Sequence, residues 1–227
     1  MEKVVVSIGG SVLIPDDDDH SYIMRLAALL REVSNDVDLL VICGGGRVAR
    51  YYTNTGKKIG GTTHQLDLLG IGATRLNAEL LRIALGDAAH DTVPLTVDEA
   101  VNAFSGGRIV VMGGTEPGHT TDAVAAMAAE AIGCRRIVNA TSVDAVYSDD
   151  PKIDRNAKRY THLTLGELSK IVYDEHGAGR SSVFDPLGVK LAMQNGNDIL
   201  MVSGRDLAEV KNAILGKKIK GTTVTPG

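Results

Sequence analysis

Three apolar, β-branched runs in this chain each end abruptly in glycine. Lys3-Val-Val-Val-Ser-Ile8 leads into Gly9-Gly10-Ser11, Asp38-Leu-Leu-Val-Ile-Cys43 into Gly44-Gly45-Gly46, and Arg108-Ile-Val-Val-Met112 into Gly113-Gly114-Thr115. Apolar runs without polar alternation predict strands buried on both faces, as in a parallel sheet covered by helices. In such a sheet all three glycine turns leave from the carboxyl ends of the strands, the edge where open α/β proteins hold ligands. A single glycine turn serves equally well as a tight bend or a helix start. Three on one edge point to a ligand with more than one phosphate group.

Helical patterns fill the intervals. Ile23, Leu26, Leu30 and Val33 recur at spacings of three and four, the stripe of an amphipathic helix. Arg47 to about Thr55 reads as a helix. A longer one runs from about His64 to Leu85, with Leu69, Leu76, Leu80 and Ile83 on one side and Gly86 as its stop. Thr96 caps a helix ending at Phe104, with Glu99 at the capping-box position. The helix behind the third glycine turn runs to Gly133, and a fourth strand follows at Arg136–Ala140. Asp185-Pro186 opens a helix that Gly196 ends, Asp198–Ser203 is a strand, and Lys220–Thr225 reads as a last edge strand. Asp16 to Asp19 read as a solvated loop. Residues 152–182 are polar and glycine-punctuated and yield no element. Strands alternating with helices place the chain in the α/β class. No linker divides it, so two lobes would share one continuous sheet, with the change of role near residue 132.

Composition narrows the function. Of the 227 residues, 44% are hydrophobic and 23% charged, enough for a full core. A net charge of −4, the absence of Trp and the lack of a basic, aromatic-interleaved run exclude binding to a nucleic-acid backbone. Cys43 and Cys134 are far apart and read as buried small hydrophobes, which fits a reducing cytosol. No stretch approaches membrane-spanning length, so a soluble, cytoplasmic protein with no membrane partner is expected.

The stretch Gly113-Gly114-Thr115-Glu116-Pro117-Gly118-His119-Thr120-Thr121-Asp122 carries the sharpest chemistry. It frees backbone N–H groups at a helix N-terminus beside two threonines, a setting for a phosphate. Asp122 either favours the helix dipole by proximity or faces a charged reaction centre. Phosphoryl transfer needs positioning and cations more than a strong base, and Arg47, Arg50 and Lys190 are the candidate cations. Gly44-x-Gly46-x-x-Ala49 formally matches a dinucleotide fingerprint, but Asp67, at the spacing of its acidic partner, sits in a helical pattern. A Walker-type GxxxxGK[ST] is absent, and the six histidines show no metal-ligand spacing.

Taken together, Ile8-Gly9-Gly10-Ser11, Gly44-Gly45-Gly46, Gly114-Thr115-x-Pro117-x-x-Thr120-Thr121-Asp122, Val143-Asp144-x-Val146-Tyr147 and Asp150-Pro151 resemble the amino-acid kinase family. Within it they are similar to the archaeal type of uridylate (UMP) kinase. The resemblance implies a three-layer αβα sandwich on a mostly parallel sheet of about eight strands. It also implies transfer of the ATP γ-phosphoryl group to UMP, with Mg²⁺ arriving on ATP and no dedicated protein metal site. By the same resemblance residues 1–132 would form a UMP-binding lobe and 133–227 an ATP-binding lobe. Gly9, Gly10, Ser11, Gly46 and Arg50 would lie along ATP, with Thr141, Tyr147 and Asp150 around its nucleoside. Gly45, Asp67, Gly114, Thr115, Glu116, Pro117, Gly118, His119, Thr120 and Thr121 would hold UMP. Asp122, Lys190 and Arg50 would serve the transfer itself, Asp122 by organising charge. Members are commonly hexamers built as trimers of dimers, so a homo-oligomer is implied. Many members carry a lysine just before the first glycine turn, where this chain has Ser7. Two alternatives stay open: another kinase of this family acting on a small carboxylate or phosphate ester, and a non-catalytic nucleotide- or oxyanion-binding protein on the same fold.

Overall fold

A computed structural model describes residues 1–15, 20–149, 154–176 and 184–227. The acidic run at Asp16–Asp19, the Asp150-Pro151 pair and residues 177–183 lie outside the described residues. In chain order the first half holds β1 (Glu2–Ile8), α1 (Gly10–Leu13), α2 (His20–Val33), β2 (Val37–Cys43), α3 (Gly46–Lys58), α4 (Thr63–Leu85), α5 (Val97–Phe104), β3 (Val110–Met112) and α6 (Thr121–Ala131). The second half holds β4 (Arg136–Thr141), β5 (Val146–Tyr147), β6 (Arg159–Tyr160), β7 (His162–Thr164), α7 (Leu165–His176), α8 (Pro186–Asn195), β8 (Asp198–Ser203), α9 (Leu207–Ile214) and β9 (Thr222–Thr225).

Seven strands form the main sheet in the order β3-β2-β1-β4-β8-β9-β7, and β5 with β6 forms a separate antiparallel hairpin. From β3 to β8 every neighbour is parallel, while β9 runs antiparallel to β8 and β7 parallel to β9. Alternation along each strand sends side chains to two cores. Val4, Val6, Ile8, Leu39, Val41 and Cys43 pack with α2, α4 and α9 on one face. Val5, Leu40, Ile42, Val110 and Met112 pack with residues of α5, α6, α7 and α8 on the other. The result is the three-layer αβα sandwich, on one continuous sheet. Among the described residues no helix is long and apolar enough to cross a membrane.

Several local expectations change. The first glycine turn is not a bare turn, because Gly10 opens the short helix α1. β9 is not an edge strand, since β7 pairs along its far side. β7, α7 and the β5–β6 hairpin account for much of the polar stretch that yielded no element, and α9 follows β8. Strands of two and three residues are too short to display a period. The Thr96 side chain accepts from Glu99 N–H, but Glu99 returns its bond to the Leu95 N–H, one residue upstream of the usual capping-box arm. A complete capping box forms instead at Thr62 and Gln65, opening α4. The leucine side of α4 is not the side that meets the sheet. Ile71, Ala73, Ala78, Leu81 and Leu85 are buried, whereas Leu69, Leu76, Leu80 and Ile83 face outward. The helix is apolar on both sides, and the sequence pattern marks only one.

Candidate active site

The sheet places its switch point at the first glycine turn. β2 and β3 continue to one side of β1, and β4 and β8 to the other, so a crevice opens where the order reverses. There Gly9 N–H donates to Ala140 O at 2.9 Å, tying the ends of β1 and β4 together. The first two glycine turns interlock. A Cβ on Gly10 would stand 2.2 Å from Gly46 N and 2.5 Å from Gly44 O, and Gly46 adopts φ +56°. Glycine is therefore required at Gly10, Gly44 and Gly46 by backbone contact alone, before any ligand is considered. α3 then begins behind the second turn, and Arg50 donates to Ser11 Oγ at 3.0 Å.

The third turn is held from below by α4. Gly114 N–H donates to Thr74 Oγ1 at 2.7 Å, and Arg75 donates to the carbonyls of Gly114 and Thr115 at 3.1 and 2.9 Å. Asn77, also on α4, donates to Gly44 O at 2.7 Å and so steadies the second turn. Sequence reasoning missed all three. A readable signal existed, because Thr74 and Asn77 lie among Ile71, Ala78 and Leu81 on the buried face, where an unexplained polar side chain marks a bond to be satisfied.

Between α3, α4 and the third turn lies a cleft of about 370 Å³. Of the expected acceptor set it gathers Gly45, Asp67, Gly114, Glu116, Gly118, His119, Thr120 and Thr121, joined by Ala49, Thr53, Leu66, Gly70, Ile71 and Thr74. Thr115 and Pro117 belong to the loop but do not line the cleft. Asp67 accepts from Gly118 N–H at 3.1 Å, fixing the loop's outer bend. The Thr120 hydroxyl caps α6 by accepting from Ala123 N–H. His119 Nδ1 lies 3.3 Å from Glu116 Oε1, within ion-pair range but off hydrogen-bond geometry.

Asp122 sits in the first turn of α6, directly after Thr121 of the cleft. Its carboxylate accepts from Ser7 Oγ and from Asp185 N–H, each at 3.3 Å. Ser7 is 2% exposed, so it presents a buried hydroxyl to this carboxylate. Burial, then the nearby Asp185 carboxylate, push the Asp122 carboxyl up to about 6, against the lowering effect of its two hydrogen bonds. Asp185 in turn caps α8 by accepting from Gly188 N–H, and a Cβ on Gly188 would stand 3.1 Å from the Asp122 backbone. α8 is thereby docked on the start of α6. Lys190 is exposed on α8, two residues and hence about 200° around the helix from Gly188. It makes no hydrogen bond or ion pair among the described residues.

On the other side of the switch point, Thr141 ends β4 beside Gly9. Its hydroxyl accepts from Val143 N–H, and Tyr147 donates to Asp144, which also pairs with Arg159 of β6. Asp150 is outside the described residues. Burial pushes the Cys43 thiol up to about 12 and the Cys134 thiol up to about 11, which rules both out as nucleophiles near neutrality.

Comparison with known proteins agrees with this architecture. Residues 2–203 match the model of the amino acid kinase family. The chain is 41% identical over 223 residues to the uridylate kinase of Methanococcoides burtonii, covering 98% of this chain and 95% of that one. It is 40% identical over 225 residues to the uridylate kinase of Pyrococcus abyssi, covering 99% and 100%. The crystal structure of uridylate kinase from Archaeoglobus fulgidus superposes with a TM-score of 0.89 at 37% identity, covering 99% of this chain and 100% of that one. With residues 2–203 matching the family model and nearly its whole length and its fold in common with these proteins, the chain belongs to the amino acid kinase family.

Proposed function

We infer that the protein is a nucleoside monophosphate kinase that transfers the γ-phosphoryl group of ATP to UMP, giving UDP and ADP. The observation that carries this reading is the cleft beside the interlocked glycine turns. It is lined by Asp67, Thr120, Thr121 and by Gly114, Glu116, Gly118 and His119 of the third turn, and relatives alike over nearly their full length are uridylate kinases. In this reading the cleft takes the acceptor. Its phosphate lies at the N-terminus of α6 near Thr121, its ribose at Asp67, and its base against Gly114–His119. The donor lies across the switch point, its phosphates along Gly9, Gly10, Ser11 and Gly46 and its nucleoside near Thr141, Tyr147 and Asp150. Residues 1–132 thus hold UMP and residues 133–227 the ATP nucleoside, on one sheet, with the ATP phosphates lying along the first two glycine turns of the 1–132 lobe.

The protein's own part in the chemistry is alignment and charge. An acceptor phosphate near neutrality is already anionic, so no strong base is needed. Asp122, fixed by Ser7 and the start of α8, organises the transfer point. Arg50, beside Ser11, and Lys190, from α8, supply positive charge. Among the described residues no three His, Cys, Asp or Glu side chains cluster as a metal site. Mg²⁺ would arrive on the nucleotide phosphates, where Asp122 is the carboxylate at hand, and would supply neutralisation of phosphate charge. The two buried, unpaired cysteines suit a cytoplasmic setting.

We also place self-association on the outer face of α4. The apolar first-helix stripe is core, with Leu26, Leu30 and Val33 buried. Leu69, Leu76, Leu80 and Ile83, by contrast, stand open on α4, and Tyr51, Tyr52 and Ile59 are exposed on and just after α3.

An acceptor panel with ATP–Mg decides the main reading. ADP release is expected with UMP and little with CMP, AMP or N-acetylglutamate. Turnover with a different acceptor would overturn the substrate. Thermal shift by ATP and UMP without ADP release would favour a non-catalytic binder, the reading that Ser7 in place of a lysine supports.

A further inference from the structure

The acceptor loop is fastened to α4 by one side chain that never enters the cleft. Arg75 donates from Nε to Gly114 O at 3.1 Å and from one terminal nitrogen to Thr115 O at 2.9 Å and Leu95 O at 3.2 Å. It is absent from the cleft lining. Its fork joins three segments: α4, the third glycine turn, and the residue preceding the Thr96 cap of α5. All three acceptors are neutral carbonyls, and no carboxylate pairs with Arg75 among the described residues. Its neighbour Thr74 completes the grip by accepting from Gly114 N–H while donating to Ile71 O. The loop is pressed onto this spot, since a Cβ on Gly113 would stand 2.6 Å from Thr74 Oγ1 and 2.8 Å from Arg75 N.

We propose that Arg75 is a positioning residue for the acceptor: from outside the cleft it pre-forms the Gly113–Thr121 loop. This rests on the kinase reading above. A glycine-rich loop held only by its ends would lose conformational entropy each time the acceptor bound. A guanidinium bonded to consecutive carbonyls removes that loss in advance, and a neutral or single-pronged side chain cannot replace the fork. Because the effect lies in ordering the free loop, it falls on acceptor binding and spares the donor.

Arg75→Met and Arg75→Lys separate fork from charge. In steady-state kinetics Arg75→Met is expected to raise the KM for UMP about tenfold or more, equivalent to ~1.4 kcal/mol, with kcat changed less than about threefold and the KM for ATP unchanged. Arg75→Lys, which keeps the charge and serves one carbonyl, is expected to recover part of that loss. Hydrogen exchange provides a readout independent of turnover: the amides of residues 113–120 should exchange faster in Arg75→Met than in wild type, with those of β1, β2 and β4 unaltered. A UMP KM within twofold of wild type, or a parallel loss in kcat and both KM values, overturns the proposal, as does unchanged exchange in the loop. If the wild-type protein fails to phosphorylate UMP, the kinase reading falls while the exchange data still decide the clamp. If it succeeds and the variants behave as wild type, the clamp falls alone.

Discussion

Asp122 is held by two donors, Ser7 Oγ and Asp185 N–H, and still titrates near 6 because burial and the Asp185 carboxylate outweigh them. The unfolded carboxyl titrates at 3.8, so between that value and about 6 the folded protein keeps a proton that the unfolded chain has released. Stability therefore falls as pH rises through this window and stays lower by a fixed amount above it. Asp122→Asn removes the cost of ionisation. Its unfolding free energy should match wild type below the window and exceed it above, by on the order of 1–3 kcal/mol at about pH 7.5 in chemical denaturation. The same variant should lose turnover by about a hundredfold or more in ADP-release assays, since charge at the transfer point acts on the transition state. A variant both more stable and inactive would identify a carboxylate kept for chemistry. The cations differ too. Arg50 already reaches Ser11, whereas Lys190 stands exposed and unpaired among the described residues. Arg50→Met should therefore cost more in kcat than Lys190→Met, and the reverse order would make Lys190 the principal charge.

The elements that build the site are short turns braced by a long helix, and they were unequally visible in the sequence. The strands β1 to β4 and β8, the glycine turns and the caps at Asp185 and Thr96 could be read directly, because each rests on local chemistry within a few residues. The reason for the glycines could not. Gly10, Gly44 and Gly46 read as phosphate-facing turns, yet the Gly10 Cβ position is already filled by Gly46 and Gly44 of a turn more than thirty residues away. Nor could the partners of Thr74, Arg75 and Asn77, which depend on where α4 crosses the sheet; only the polar character of Thr74 and Asn77 amid apolar neighbours was legible. Gly10→Ala tests the contact. A methyl group 2.2 Å from Gly46 N must drive the two turns apart, at a cost of ~2–4 kcal/mol by analogy with overpacked cores. Chemical denaturation should show that loss, together with weakened binding of both nucleotides, because the two turns move together.

On the scale of the whole molecule, topology turns three separate motifs into one crevice. Reversal of strand order at β1 sets the first glycine turn between the other two and the end of β4, a juxtaposition that the handedness and adjacency of parallel units predict once the strands are known. The far edge is where prediction from sequence fails, since β9 and β7 reverse direction through pairings that no local pattern announces. The outer face of α4 poses the remaining question. Leu76 is 62% and Ile83 63% exposed, on a stripe that includes Gly72. A Cβ on Gly72 would meet nothing within 4 Å, so the fold of one chain gives no reason for a glycine that costs a helix interior ~1 kcal/mol relative to alanine. A second helix crossing closely at that point does give one, and the flanking leucines would then be buried rather than open. Leu76→Glu with Ile83→Glu places charges in such a contact without touching the core. Light scattering after gel filtration should show the wild type as an oligomer and the double variant at a smaller mass with unchanged far-UV circular dichroism. An unchanged mass would move the interface elsewhere, and a wild type of monomeric mass would remove it.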